Sequence, residues 1–531
     1  MKNKFLIPTI LLCIIVAGFF SCQQSMHKSS TGILDPSALE EITVSQLQKD
    51  YKQGKYTVRD VVNWYLTRID SIDKHGPALN SIICVNPDAL AIADLLDEEL
   101  AAGKMRGPLF GVPIILKDNI NTHDKMPTTA GATVLKNSFP ETDSWVAKKL
   151  REAGAVIIAK SNLSEWANFR SSVSSSGWSG VGGQTKNPYI LDRNPCGSSS
   201  GSGVAVSANL CMLAIGTETN GSIVCPSNNN GIVGLKPTVG LISRSGIVPI
   251  SFTQDTPGPM GRTVEDVVLC LGSLTGIDSM DNKTFPSKGE FLTDYTRYLK
   301  TDGLKGKRIG LMKENMGFNG KVDELIKQTV ALLKQYGAEV IEIEPLKEHG
   351  YEDASYQVLL YEFKDGLNRY FEQLGKNAPV KSLKELIAFN LKDSIELKYF
   401  DQEILEQAES KGNLDTPEYK NSLSKMWNQT REAGIDYLMN TYKLDALMAP
   451  TGSPAWKTDL VNGDHFIGGS SSLAAISGYP SIAVPMGFIN ELPVNVSFFG
   501  KAWSEPVLIE IAYSYEQVTK IRKAPRFLVT D

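Results

Sequence analysis

Histidine is nearly absent. Five occur in 531 residues, at positions 27, 75, 123, 349 and 465, and no pair has the spacing that sets two imidazoles on one helix face. A zinc site is therefore not expected, and nothing else in the chain calls for a metal or a cofactor. Cysteine is sparse too: seven residues, none in a CxxC pair. Setting Cys13 and Cys22 aside for the reason given below leaves Cys84, Cys196, Cys211, Cys225 and Cys270, an odd number in apolar or Gly/Ser-rich surroundings. They read as buried free thiols, not as a disulfide scaffold. A basic excess is missing as well. Lys and Arg number 54 against 59 acidic residues, for a net charge of -5, and no basic run would track phosphates. Nucleic acid is excluded as a partner, and no obligatory protein partner is expected.

Long apolar runs are confined to one place. Phe5 to Phe20 is apolar, follows Lys2 and Lys4, and leads straight into Ser21 and Cys22. The run is short for a membrane span and reads as a secretory signal. Phe19-Phe20-Ser21-Cys22 resembles a bacterial lipobox, with Phe19 where Leu is usual. That resemblance implies lipid on Cys22 and an exported, cell-envelope lipoprotein facing the periplasm, held to the membrane by the lipid. An uncleaved N-terminal anchor is the alternative, and it too places the body outside the cytoplasm. Residues 1–22 are thus assigned to a signal, 23–35 to a polar, Ser-rich tether, and 36–531 to the functional body.

With 42% hydrophobic and 21% charged residues, that body has ordinary globular composition. From Ile42 to Leu100 the pattern is helical: Val58, Val61, Val62, Tyr65, Leu66 and Ile69 share one face behind Thr57, a good N-cap. Gly111–Leu116 is a short apolar run, Ser144–Glu152 a helix, and Ala155–Ala159 a second apolar run. Strand, helix and strand in that order predict a βαβ unit in a buried sheet. Residues 301–442 are richer in charge and helix formers, with strands expected at Arg308–Met312 and Glu339–Ile343. Strands return at Ala446–Ala449 and Ser481–Pro485, and Ser504 is placed to cap a final amphipathic helix. Apolar strands on both sides of the charged region predict a single α/β domain. Its expected form is one twisted mixed sheet with helices on both sides, and 301–442 as a helix-rich peripheral region.

Three positions draw attention together: Lys117 at the end of an apolar run, Ser198 in a Gly/Ser stretch, and Ser222 in a Gly-Ser pair. Each alone is ordinary, since such lysines are usually surface residues and such serines usually lie in loops. The Gly/Ser stretch, however, runs into the apolar segment Val204–Ile215. A Gly-rich loop pinned between core segments serves close backbone approach more often than flexibility.

Four segments carry a resemblance. They are Gly111-Val112-Pro113-Ile114-Ile115-Leu116-Lys117-Asp118-Asn119, Gly197–Ser202 (GSSSGS), Gly216–Ile223 (GTETNGSI) and Gly231–Thr238 (GIVGLKPT). In order and spacing they resemble the amidase signature family. The interval of 24 residues from Ser198 to Ser222 matches that between the family's two serines. The resemblance runs from about Ile42 to Pro525, and GTETNGSIVCPS with FFGKAWSEPVLIEIAYSYEQ is most similar to the peptide-amidase-like branch.

The resemblance implies a serine amidohydrolase acting on a peptide amide or other small amide, with water as the second reactant. Ser222 would be the nucleophile and Lys117, in its neutral form, the base. Ser198, which follows a cis peptide bond in the family, would relay the proton. The backbone N–H groups of Thr219, Asn220, Gly221 and Ser222 would form the oxyanion hole. Such a lysine needs burial to depress its pKa. Glu218, Asn220 and Val224 depart from the family's usual Asp, Gly and Arg. Two alternatives are an aminoacyl-tRNA amidotransferase of the A-type and a non-catalytic binding lipoprotein on the same scaffold. The export signal argues against the first, and three intact relay residues argue against the second.

Overall fold

In the computed structural model the apolar runs become strands of one eleven-stranded mixed sheet. The structure describes residues 1, 34–35, 37–346 and 350–530. Cys22, the apolar run before it and Gln23–Thr31 lie outside the described residues. Among the described residues no helix is long and apolar enough to cross a membrane.

The site-bearing half of the sheet is built on the expected βαβ unit. Strands Pro113–Lys117 and Val156–Ser161 lie parallel, with Pro113 opposite Val156, and helix Trp145–Glu152 connects them. The Ser144 hydroxyl caps that helix by accepting from Ala147 N at 3.1 Å. Both strands are buried along their whole length, which is why they read as continuous apolar runs instead of alternating ones. Strand Leu213–Glu218 runs parallel on the other side of Pro113–Lys117, with Leu116 opposite Ile215. Three neighbouring strands therefore end on one edge, at Lys117, Ser161 and Glu218. In open α/β sheets the carboxyl ends of parallel strands are where ligands bind.

Beyond Leu213–Glu218 the sheet continues through Thr256–Gly261, Val233–Lys236, Ser481–Ile489, Leu492–Phe499, Ala446–Pro450, Arg308–Met312 and Glu339–Ile343. Leu34–Asp531 forms one compact unit. The charged stretch 301–442 contributes its two strands directly to the sheet, in parallel register with Arg308 opposite Glu339. Its long helix Tyr351–Leu374 buries Phe363, Leu367 and Phe371 in a core shared with Trp166, Phe169, Val248 and Ile250.

Three readings need correction. The stretch 42–100 is not helical throughout: Ile82–Val85 is a strand, antiparallel to Val156–Ser161. Its apolar residues suit either period, and the pairing decides. Ser504 does sit at the N-cap of helix Glu505–Thr519, but its hydroxyl donates to Lys501 O at 2.7 Å and receives no helix N–H. The cysteines are not all free: Cys196 and Cys225 form a disulfide, while Cys84, Cys211 and Cys270 remain thiols. The two partners are 29 residues apart in sequence, and only the tertiary fold brings them together.

Candidate active site

Lys117 ends its strand fully buried. Its ammonium nitrogen donates to Ser198 Oγ at 2.8 Å, Thr217 Oγ1 at 2.9 Å and Thr217 O at 3.2 Å. Burial lowers its pKa from the ordinary 10.5 to about 7, and the negative charges of Asp255 and Glu218 oppose that drop. Half of the lysine is therefore neutral near pH 7, where it can accept a proton.

Ser198 stands at the entry to helix Ser200–Ser207, after a cis peptide bond from Gly197. The Gly/Ser stretch is pressed against its surroundings. A Cβ on Gly201 would collide with Ser81 O and with both backbone polar atoms of Asn162. Close approach, not flexibility, explains the glycine there. Ser199 links the two serine segments. Its hydroxyl accepts from Thr217 N at 3.2 Å and donates to Thr217 O at 3.1 Å, and its N–H donates to Ser222 O at 3.2 Å.

Ser222 lies in the turn between strand Leu213–Glu218 and helix Val224–Asn229, 7% exposed. Among the described residues its hydroxyl has no hydrogen bond to Ser198 Oγ, and the two segments meet through Ser199, whose N–H donates to Ser222 O and whose hydroxyl bonds Thr217. The N–H groups of Thr219, Asn220, Gly221 and Ser222 donate to no acceptor among the described residues. Four consecutive unspent donors ending at a serine can stabilise negative charge on a bound oxygen.

The turn is braced residue by residue, by its own Glu218, Thr219 and Asn220 side chains and by partners that the sequence did not single out. Glu218 Oε2 accepts from Ile223 N at 2.8 Å and Val224 N at 3.0 Å. Thr219 Oγ1 donates to Asp255 at 2.6 Å, and Thr219 O accepts from Gln254 Nε2 at 3.3 Å. Ser355, on the long helix, holds Gln254 in turn at 2.7 Å. The Asn220 side chain bonds the start of helix Ser471–Ser477, accepting from Ser471 Oγ at 2.7 Å and donating to Ser472 Oγ at 3.3 Å. Asn119 Nδ2 donates to Thr217 Oγ1 at 3.0 Å. These partners come from segments far apart in sequence, so no local motif marks them. Asn119 and the turn's own residues Thr217–Asn220 lay inside recognised segments, whereas Asp255, Gln254, Ser355, Ser471 and Ser472 did not.

A cavity of about 200 Å³ adjoins this arrangement, lined by Asn119, Thr217, Thr219 and Asp255 among others, but not by Lys117, Ser198 or Ser222. Among the described residues no cluster of three or more His, Cys, Asp or Glu is placed to hold a metal ion.

A family model described as Amidase matches residues 60–509. A solved peptide amidase in complex with the competitive inhibitor chymostatin is 48% identical, with a TM-score of 0.90 over 92% of this chain and 99% of that one. The native peptide amidase of Stenotrophomonas maltophilia is 47% identical, with a TM-score of 0.88 and the same coverage. A probable amidase of Arabidopsis thaliana is 41% identical over 92% of both chains. The A-type component of the glutamyl-tRNA(Gln) amidotransferase of Microcystis aeruginosa is 34% identical over 91% of this chain and 98% of its own length.

Proposed function

The chain belongs to the amidase signature family of hydrolases acting on amide bonds, and from that premise we propose that it cleaves peptide amides through Ser222, Ser198 and Lys117. The observation that carries the reading is the buried Lys117–Ser198 contact at 2.8 Å, held beside a serine that follows three free backbone N–H groups. A serine hydroxyl needs a base, and no histidine lies in these segments.

Neutral Lys117 accepts the Ser198 proton as Ser198 accepts that of Ser222, and Ser222 Oγ bonds to the amide carbon. The carbonyl oxygen takes the negative charge and is met by the N–H groups of residues 219–222. The C–N bond then breaks, and the proton returns from Lys117 through Ser198 to the departing amine. Water repeats the sequence on the acyl-enzyme and releases the acid.

A peptide amide is favoured as substrate because the peptide amidases are 47–48% identical across 99% of their length, against 34% for the amidotransferase component. The test is a substrate panel for the purified protein: C-terminally amidated peptides, fatty amides, simple aliphatic amides and glutamine. Turnover of amidated peptides at least tenfold above the rest is expected. Preference for glutamine would favour the amidotransferase reading.

Export and a lipid on Cys22 complete the proposal. The Cys196–Cys225 disulfide supports it, since such bonds persist in oxidising compartments outside the cytosol.

A further inference from the structure

We propose that the Cys196–Cys225 disulfide is a positioning element of the active site, so that full turnover requires the oxidised pair. The inference rests on Ser198 and Ser222 acting as relay and nucleophile. The cysteines bracket those residues: Cys196 is two residues before Ser198, and Cys225 three after Ser222. The bond spans Cα atoms 6.0 Å apart. It joins the irregular stretch leading into Ser198 to helix Val224–Asn229, which begins just behind Ser222.

The stretch before Ser198 is outside the sheet and has few other anchors to that helix. Asn230 Nδ2 donates to Pro195 O at 2.9 Å, and Asn229 Nδ2 to Asn194 O at 3.4 Å. Cys196 itself has left-handed backbone at φ +59° and donates its N–H to Asn194 Oδ1 at 2.8 Å. Cys225 N donates to Gly221 O at 2.8 Å, so the second cysteine also closes the turn that displays Ser222. Trp456 packs over the pair, and all three residues are buried.

A disulfide whose role is purely structural restricts the unfolded chain and could sit anywhere in the fold. This one spans the seam between two catalytic segments, where the direct tethers all come from one residue, Ser199: its N–H donates to Ser222 O, and its hydroxyl bonds Thr217 N and O. A proton relay tolerates little drift: a misplacement on the order of 1 Å costs roughly a hundredfold in rate. Releasing the bond should therefore damage the chemical step before it damages the fold.

The experiment reduces the folded full chain with a water-soluble phosphine and counts thiols by alkylation and mass. Steady-state kinetics on an amidated peptide, fluorophosphonate labelling rate and far-UV circular dichroism are then recorded. We expect five thiols in the mature chain if Cys22 is acylated, against three before reduction. The expected outcome is a fall of about tenfold or more in kcat and labelling rate, with KM within about twofold and the helical signal unchanged. Oxidised glutathione should restore activity: the two thiols give up two protons and two electrons, and each glutathione disulfide becomes two glutathiones. The double variant Cys196→Ser/Cys225→Ser should match the reduced enzyme and resist rescue. Undiminished kcat in fully reduced wild type overturns the proposal, as does activity lost only in step with the helical signal. Ser222→Ala is assayed alongside. Activity there refutes the nucleophile assignment, whereas a redox-insensitive wild type refutes only the role of the disulfide.

Discussion

Replacing Lys117 with methionine should abolish turnover and change how stability depends on pH. Lys117 has an ordinary value of 10.5 when unfolded and about 7 in the fold, where burial penalises its charge. At 1.36 kcal/mol per pH unit, that gap sets about 5 kcal/mol between the protonation states. The folded value is the lower one, so between about pH 7 and 10.5 the unfolded chain binds more protons than the folded chain. Wild-type stability therefore rises with pH across that window, by about 1.4 kcal/mol per unit from this group. Lys117→Met removes the contribution. It also leaves Ser198 and Thr217 without their donor, at a cost of about 1–3 kcal/mol that is the same at every pH. The decisive quantity is thus a slope. Urea unfolding of both proteins at pH 6.5, 7.5, 8.5 and 9.5 should show the variant losing ground to wild type by about 3 kcal/mol across the upper three points. A flat difference would mean that Lys117 keeps its ordinary pKa, and the account of its role as a base would fail.

Asp255→Asn removes the negative charge that most opposes the lowering of the Lys117 pKa, so the acid limb of the pH–kcat/KM profile should move to lower pH; a profile fixed in place contradicts it. Gly201→Ala forces a methyl into the backbone of Ser81 and Asn162 and should cost at least about 3 kcal/mol, seen as a drop in unfolding midpoint or as insoluble protein; a wild-type midpoint would show that the packing is looser than described. Cys22→Ser should release the protein from the membrane fraction and abolish precursor accumulation under globomycin; unchanged fractionation would show that Cys22 is not the anchor.

Much of the fold was legible because buried parallel strands announce themselves as unbroken apolar runs. Arg308–Met312 and Glu339–Ile343 were read at the bounds they have, and Thr57 caps its helix with a full capping box. Ile82–Val85 was missed because four apolar residues after a long helical pattern carry no period of their own. The positions of Lys117, Ser198 and Ser222 were legible through their motifs. Their supports were not, because Asp255, Gln254, Ser355 and Ser471 reach the turn by tertiary packing alone. Cys196 and Cys225 show the same limit. Cys196 stands in the irregular stretch before Ser198 and Cys225 in helix Val224–Asn229, and only the meeting of the two segments distinguishes a bond from two thiols.

The central claim is that Ser222 is the nucleophile and that Lys117, through Ser198, activates it. Fluorophosphonate labelling followed by peptide mapping tests it most directly. Wild type should carry one adduct, on Ser222, and Ser222→Ala should carry none. Lys117→Ala should label at least about a hundredfold more slowly at pH 8, where wild-type Lys117 is mostly neutral. Undiminished labelling of Ser222→Ala, or an adduct mapped to Ser198 in wild type, would contradict the account.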